Sequence, residues 1–224
     1  MSPRLVDLSH PIEHGVITYK GLPAPAVCDY LSREASRENY AAGTEFHIGR
    51  ITMVANTGTY VDSPFHRYAE GVDVAGLDLA ALTALEGTVV RATGRTERAI
   101  GPEMFAASNV AGRAVLVHTG WARHWGTEPY FDGHPYLTAA SAEHLRDSGA
   151  VLVGIDSLNI DATDGGERPV HTLLLGAGIP IVEHLRGLEQ LPPDGFEFSA
   201  VPAPVRGLGS FPVRAYARLP SPAA

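Results

Sequence analysis

Four side chains in this sequence have the types and spacing to do chemistry: Asp62, His66, His171 and Glu183. Imidazole nitrogen and carboxylate oxygen are ligands that a borderline divalent cation such as Zn²⁺ or Mn²⁺ accepts. Asp62, His171 and Glu183 can form a three-ligand set with an open position for a water whose pKa the metal lowers. His66 is then free to move protons. Asp62 and His66 share one stretch, ANTGTYVDSPFH, residues 55–66. Asn56 and Tyr60 stand four apart in it, where a two-histidine metal motif places its ligands. The same stretch can also be read as a tight loop, with Asp62 capping a turn before Ser-Pro. His171, in an apolar segment, can equally be a core histidine.

Other residues carry weaker signals. GIDSLNID puts Asp156, Ser157, Asn159 and Asp161 just after an apolar run, where α/β folds favour ligands. A hydrogen-bonded loop explains them as well. Ser157 lacks the G-x-S-x-G context of a nucleophile elbow. GLGSFP, residues 207–212, is glycine-rich, but no helix follows it as a phosphate loop requires. His118 can line a pocket or bond a strand end, and Tyr130, Phe131 and Tyr136 read as packing. Cys28 has no visible activating partner. Lys20 and Arg67 are candidates to receive a substrate carboxylate.

The elements that must position these residues are short. Apolar runs at GTVVRAT, RAVLVHTG and AVLVGID (150–156) predict buried strands. FHIGRITMVA (46–55) and the late segments FEFSAVPAPVRG and FPVRAYARL predict further strands. Helices are expected over 138–149, capped by Thr138 and ended by Gly149, and over 168–178. LDLAALTALEG (77–87) has leucines near helical spacing and a stop at Gly87, so a helix is expected there too. Residues 30–43 read as an exposed excursion and 121–137 as an irregular loop. No repeat or low-complexity linker divides the chain. The expectation is one α/β domain over residues 1–224, with a mixed sheet curled towards a barrel and flanked by helices.

Composition sets limits. The chain has 224 residues, 45% hydrophobic and 19% charged, enough for one full core. Its net charge is −8, and Lys20 is its single lysine, so the basic patch of a nucleic-acid binder is missing. No apolar run reaches the roughly 18 residues of a membrane span. The N-terminus lacks a signal-peptide pattern. One cysteine permits no internal disulfide, which suits a reducing cytoplasm.

The chain resembles the cyclase family of metal-dependent hydrolases, which includes bacterial kynurenine formamidases and isatin hydrolases. The residues that carry the resemblance are the opening LVDLSHPIEHGVITYKGLPAP, the segment NTGTYVDSPFH against the family's H-x-G-T-H-x-D-x-P-x-H, the strand VLVGIDSLNID, and the ending PVRGLGSFPVRAYARL. The resemblance implies the family's swivelling β/α/β fold with a barrel-like sheet, in a homodimer or homotetramer. It implies cleavage of a C–N bond in a small-molecule amide, formamide or cyclic amide. Asp62, His171 and Glu183 fall on ligand positions, His66 on the acid/base and Tyr19 on a substrate-contacting aromatic. The kynurenine formamidases of this family resemble two-metal enzymes, and the two signature histidines of their first metal are replaced here by Asn56 and Tyr60. An amide oxygen and a neutral phenol are poor ligands, so one divalent cation at most is expected. Asn56 is then left to contact substrate, and Tyr60 can donate a hydrogen bond to an oxyanion. Metal-free acid/base cyclisation or dehydration, and small-molecule binding without turnover, are the rival readings.

Overall fold

The runs at 87–90, 114–117 and 152–155 do not alternate apolar with polar residues, the pattern of strands covered on both faces. They form the centre of the sheet. A computed structural model describes residues 3–220. The elements in chain order are β1 (Arg4–Asp7), β2 (Ala26–Leu31), α1 (Arg33–Ser36), β3 (Ile48–Thr52), β4 (Tyr60–Asp62), β5 (Leu85–Arg91), β6 (Ala99–Ile100) and β7 (Ala114–His118). There follow β8 (Tyr136–Leu137), α2 (Ala139–Asp147), β9 (Leu152–Ile155), α3 (Pro169–Gly176), β10 (Ile181–Glu183), β11 (Phe196–Ser199), β12 (Ser210–Pro212) and β13 (Tyr216–Leu219). Nine strands make one mixed sheet in the order β1-β13-β11-β5-β7-β9-β10-β4-β12, curled into a half-barrel. The α/β class and the curled sheet expected from sequence are both present.

Strands β5, β7, β9 and β10 run parallel. Their side chains divide by the period of two. Val115, Val117, Val153, Ile155 and Ile181 enter one core with Leu145, Val170 and Leu174 of α2 and α3. Ala114, Leu116, Leu152 and Val182 enter the other with Val61, Leu185 and Phe198. Thr138 caps α2 by accepting from Ser141 N, and Gly149 follows with φ +79°. Four parallel strands therefore end on one side of the sheet, bringing Arg91, His118 and Glu183 to that edge, with Asp156 one residue past β9.

The expected helix over 77–87 is not formed. Asp78 caps a single 3-10 turn, Leu79–Ala81, and β5 begins at Leu85. Leu82 is buried while Leu79 is exposed, and Ala84 takes a positive φ that no helix continues. Gly87 does not stop a helix. It lies inside β5, where an added Cβ would meet the Phe196 ring at 2.1 Å. The 30–43 excursion is exposed as expected; β2 and β3 beside it pair only with each other. No helix among the described residues is long and apolar enough to cross a membrane.

Candidate active site

Antiparallel strands build the site. Strand β4 pairs with β10 on one side and β12 on the other, in a register that sets Glu183 opposite Tyr60 and Ser210 opposite Asp62. Beyond β4, Pro64 starts a 3-10 turn that ends at His66. Gly209 makes the approach of β12 to this turn feasible, since a Cβ there would lie 2.5 Å from His66 Cα. Ser63 donates to Gly209 O from both its backbone N (2.7 Å) and its Oγ (2.9 Å), fastening the two segments.

Asp62, His66 and His171 each offer one ligand atom, all within 4.8 Å of one another. His171 Nε2 lies 3.7 Å from Asp62 Oδ2 and 3.8 Å from Glu183 Oε1. His66 Nε2 lies 3.9 Å from Asp62 Oδ1. Atoms bound about 2.1 Å from a tetrahedral ion lie roughly 3.4 Å apart, so these three separations are a few tenths too wide. Asp62 is buried, and its Oδ2 has no hydrogen-bond partner. A buried carboxylate oxygen left bare is costly unless a cation meets it. His171 Nδ1 lies 2.7 Å from Asp161 Oδ2, which leaves Nε2 as the ligand nitrogen. The donor set thus fits one borderline divalent cation.

The electrostatics agree. Burial alone would depress the His171 imidazole, but the Asp161 hydrogen bond and the Asp62 and Glu183 charges outweigh it and push it up to about 10. Burial raises the Glu183 carboxyl, the His171 charge opposing and the Asp62 charge adding to it. Three carboxylates therefore surround one imidazole and draw positive charge into the site, a need a metal ion also answers.

Glu183 stands beside this group with both oxygens engaged. Oε2 accepts from the Tyr60 hydroxyl at 2.6 Å and Oε1 from Ile160 N at 2.7 Å. Burial, then the Glu183 and Asp62 charges, hold the Tyr60 phenol well above its ordinary pKa. Tyr60 is a neutral donor, as expected, but its proton is given to a carboxylate rather than left free for an oxyanion. Asn56 Nδ2 donates to Ser210 Oγ at 3.2 Å. Tyr19 is half-buried on a segment clamped to the signature loop, where Thr18 Oγ1 accepts from Gly58 N at 2.7 Å. Among the described residues, the Tyr19 side chain makes no hydrogen bond to the site.

Two residues of the site carried little or no sequence signal. In sequence Asp161 is one polar residue among several in GIDSLNID; of these it alone reaches His171. Ser210, in the glycine-rich GLGSFP, donates to Asp62 Oδ1 and lies 3.0 Å from His66 Nδ1. The other acidic-loop residues are structural. Asp156 accepts from Thr119 N, Thr119 Oγ1 and Gly120 N, and Ser157 donates to Pro135 O. His118 lies 2.7 Å from Arg91 Nη1, which leaves it tied to a strand end. Lys20 pairs with Glu128 and Arg67 with Thr172.

The kynurenine formamidase of Geobacillus thermodenitrificans is 32% identical over 184 residues, 82% of this chain and 85% of that protein. The kynurenine formamidase of Bacillus cereus is 29% identical over 214 residues, 95% of this chain and 96% of that one. Isatin hydrolase A from Ralstonia solanacearum superposes with a TM-score of 0.83 at 21% identity, covering 97% of this chain and 92% of that one. A structure described as a potential metal-dependent hydrolase with cyclase activity gives 0.80 at 24% identity, covering 99% and 100%. At these identities the two structures speak for the shared fold. The Cyclase family model matches residues 6–162, more than half of the chain, so the chain belongs to the Cyclase family.

Proposed function

We propose that this protein is a hydrolase that cleaves a non-peptide C–N bond in a small aromatic formamide or cyclic amide, using one divalent cation, Zn²⁺ or Mn²⁺. One observation carries the reading: the bare, buried Asp62 Oδ2 faces His171 Nε2 beside the accessible His66. The likeness to two kynurenine formamidases supports the bond class. Asp62 and His171 would hold the ion, with Glu183 as the third ligand through the lone pairs its hydrogen bonds leave free. When bound, the ion lowers the pKa of water and polarises a carbonyl.

The chain's own residues do the rest. His66, the one exposed member of the group, takes a proton from the attacking water and returns it to the leaving nitrogen. Asp161 keeps the His171 ring in place. Tyr60 orients Glu183 and fills the space where the resemblance puts a first metal; it reaches an oxyanion only by exchanging partner. The resemblance gives Tyr19 a substrate contact, and Asn56 on the signature loop is the second candidate for one. The apolar β2–β3 arm suits a homo-oligomer, and the lone Cys28 suits a reducing cytoplasm. The test is an assay of the purified, metal-supplemented chain against a panel of aryl formamides and cyclic aryl amides. Release of formate or of a ring-opened acid is expected; binding or ring closure without hydrolysis would overturn the reading.

A further inference from the structure

Ser210 is placed at the centre of a hydrogen-bond hub. Its hydroxyl oxygen has three polar neighbours: Asp62 Oδ1, His66 Nδ1 at 3.0 Å and Asn56 Nδ2 at 3.2 Å. A hydroxyl has one proton to give and two lone pairs to accept with. Asn56 Nδ2 only donates, so it takes one lone pair. Asp62 Oδ1 is a carboxylate oxygen in close contact with Oγ and can only accept, so the proton must lie on that line. Were it turned towards His66, two oxygens would face each other with no hydrogen between them. The second lone pair remains, and it faces His66 Nδ1. The contact is then satisfied only if Nδ1 carries a hydrogen.

We propose that Ser210 is a positioning residue that fixes the neutral His66 ring in the Nδ1–H tautomer, leaving the Nε2 lone pair as the proton acceptor. Nε2 is the nitrogen that looks past Asp62 Oδ1 towards the ligand group. The backbone enforces the arrangement. Ser210 is buried and register-locked to Asp62, and Gly209 lets β12 touch the His66 turn. Asn56 gains a definite part: it supplies the donor that completes the Ser210 hydroxyl. The same logic sets His171, whose Nδ1 faces Asp161 and whose Nε2 faces the site. Two imidazoles thus present the same nitrogen to one space. This inference rests on the reading of His66 as acid and base.

The test is ¹⁵N NMR of the His66 ring in chelator-treated protein, with the tautomer read from the neutral form of the ring, for the wild type, Ser210→Ala and Ser210→Thr. The wild type and Ser210→Thr are expected to show a protonated Nδ1 and a bare Nε2; Ser210→Ala is expected to shift towards the other tautomer. With metal restored, kcat of Ser210→Ala should fall roughly 10- to 100-fold with KM little changed, and Ser210→Thr should recover most of it. A wild-type ring protonated at Nε2, or a Ser210→Ala ring unchanged from the wild type, overturns the proposal. The wild-type spectrum decides even if the alanine variant fails to fold. A shifted tautomer with undiminished kcat supports the positioning by Ser210 and overturns instead the acid/base role of His66.

Discussion

Asp161 joins folding to chemistry in one side chain. Its Oδ1 accepts from Val170 N at 2.8 Å, and its Oδ2 from His171 N at 3.0 Å. These N–H groups open α3, whose own N-cap residue, Arg168, makes no side-chain cap. The same Oδ2 holds the His171 ring. Asp161→Asn should therefore weaken metal binding about 10- to 100-fold, as loss of a partner behind a ligating histidine does. It should also cost about 1 kcal/mol of stability through the cap. Calorimetric metal titration and denaturant unfolding read the two separately; unchanged affinity would remove Asp161 from the site. Asp62, His66, His171 and Glu183 could be picked out in sequence because their residue types are scarce and chemically telling. Asp161 and Ser210 could not. An aspartate among other loop acids and a serine among glycines gain meaning only from contacts, and Ser210 meets Asp62 across 148 residues of chain.

At the scale of elements, the close approach of β12 to the His66 turn is the feature on which the site depends. Backbone lies where a Gly209 side chain would go, so Gly209→Ala must push strand and turn apart. Overpacking of this kind costs about 1–3 kcal/mol. Activity should fall further than stability suggests, because His66 and Ser210 separate. A crystal structure of the variant with the Ser210–His66 contact retained would contradict this. The parallel strands and the helices α2 and α3 were legible because buried strands read as unbroken apolar runs and α2 carries its own cap. The 77–87 segment was not. Its leucines have helical spacing, yet two of them are placed by different neighbours: Ala200 N donates to Leu82 O, and Leu85 pairs with Phe198 in the sheet. Tertiary pairing overrode a local period.

For the whole molecule, the half-barrel leaves one part unsupported. Strands β2 and β3 pair only with each other, and an isolated two-stranded ribbon is marginal in water. The ribbon exposes Val27, Tyr30, Phe46, Ile48 and Ile51, with Tyr30 at 72%. Such a patch calls for cover, and a second copy of the chain is the partner that the family resemblance implies. Ile48→Glu combined with Ile51→Glu should convert an oligomer to monomers, read by light scattering during gel filtration. A wild-type protein already monomeric at assay concentration would contradict it. The strand over 46–55 was legible from its imperfect alternation, and 30–43 as an exposed excursion; that the apolar side chains of this strand face outward was not, since alternation marks one apolar face without saying what covers it.

The most direct measurement is a metal titration with turnover as the readout. Chelator-stripped protein would receive Zn²⁺ or Mn²⁺ in sub-stoichiometric steps while hydrolysis of an aryl formamide is followed. The account predicts no hydrolysis without metal, a linear rise, and a break at one ion per chain that His171→Ala abolishes. A break at two ions per chain, or hydrolysis that needs no metal, would contradict it.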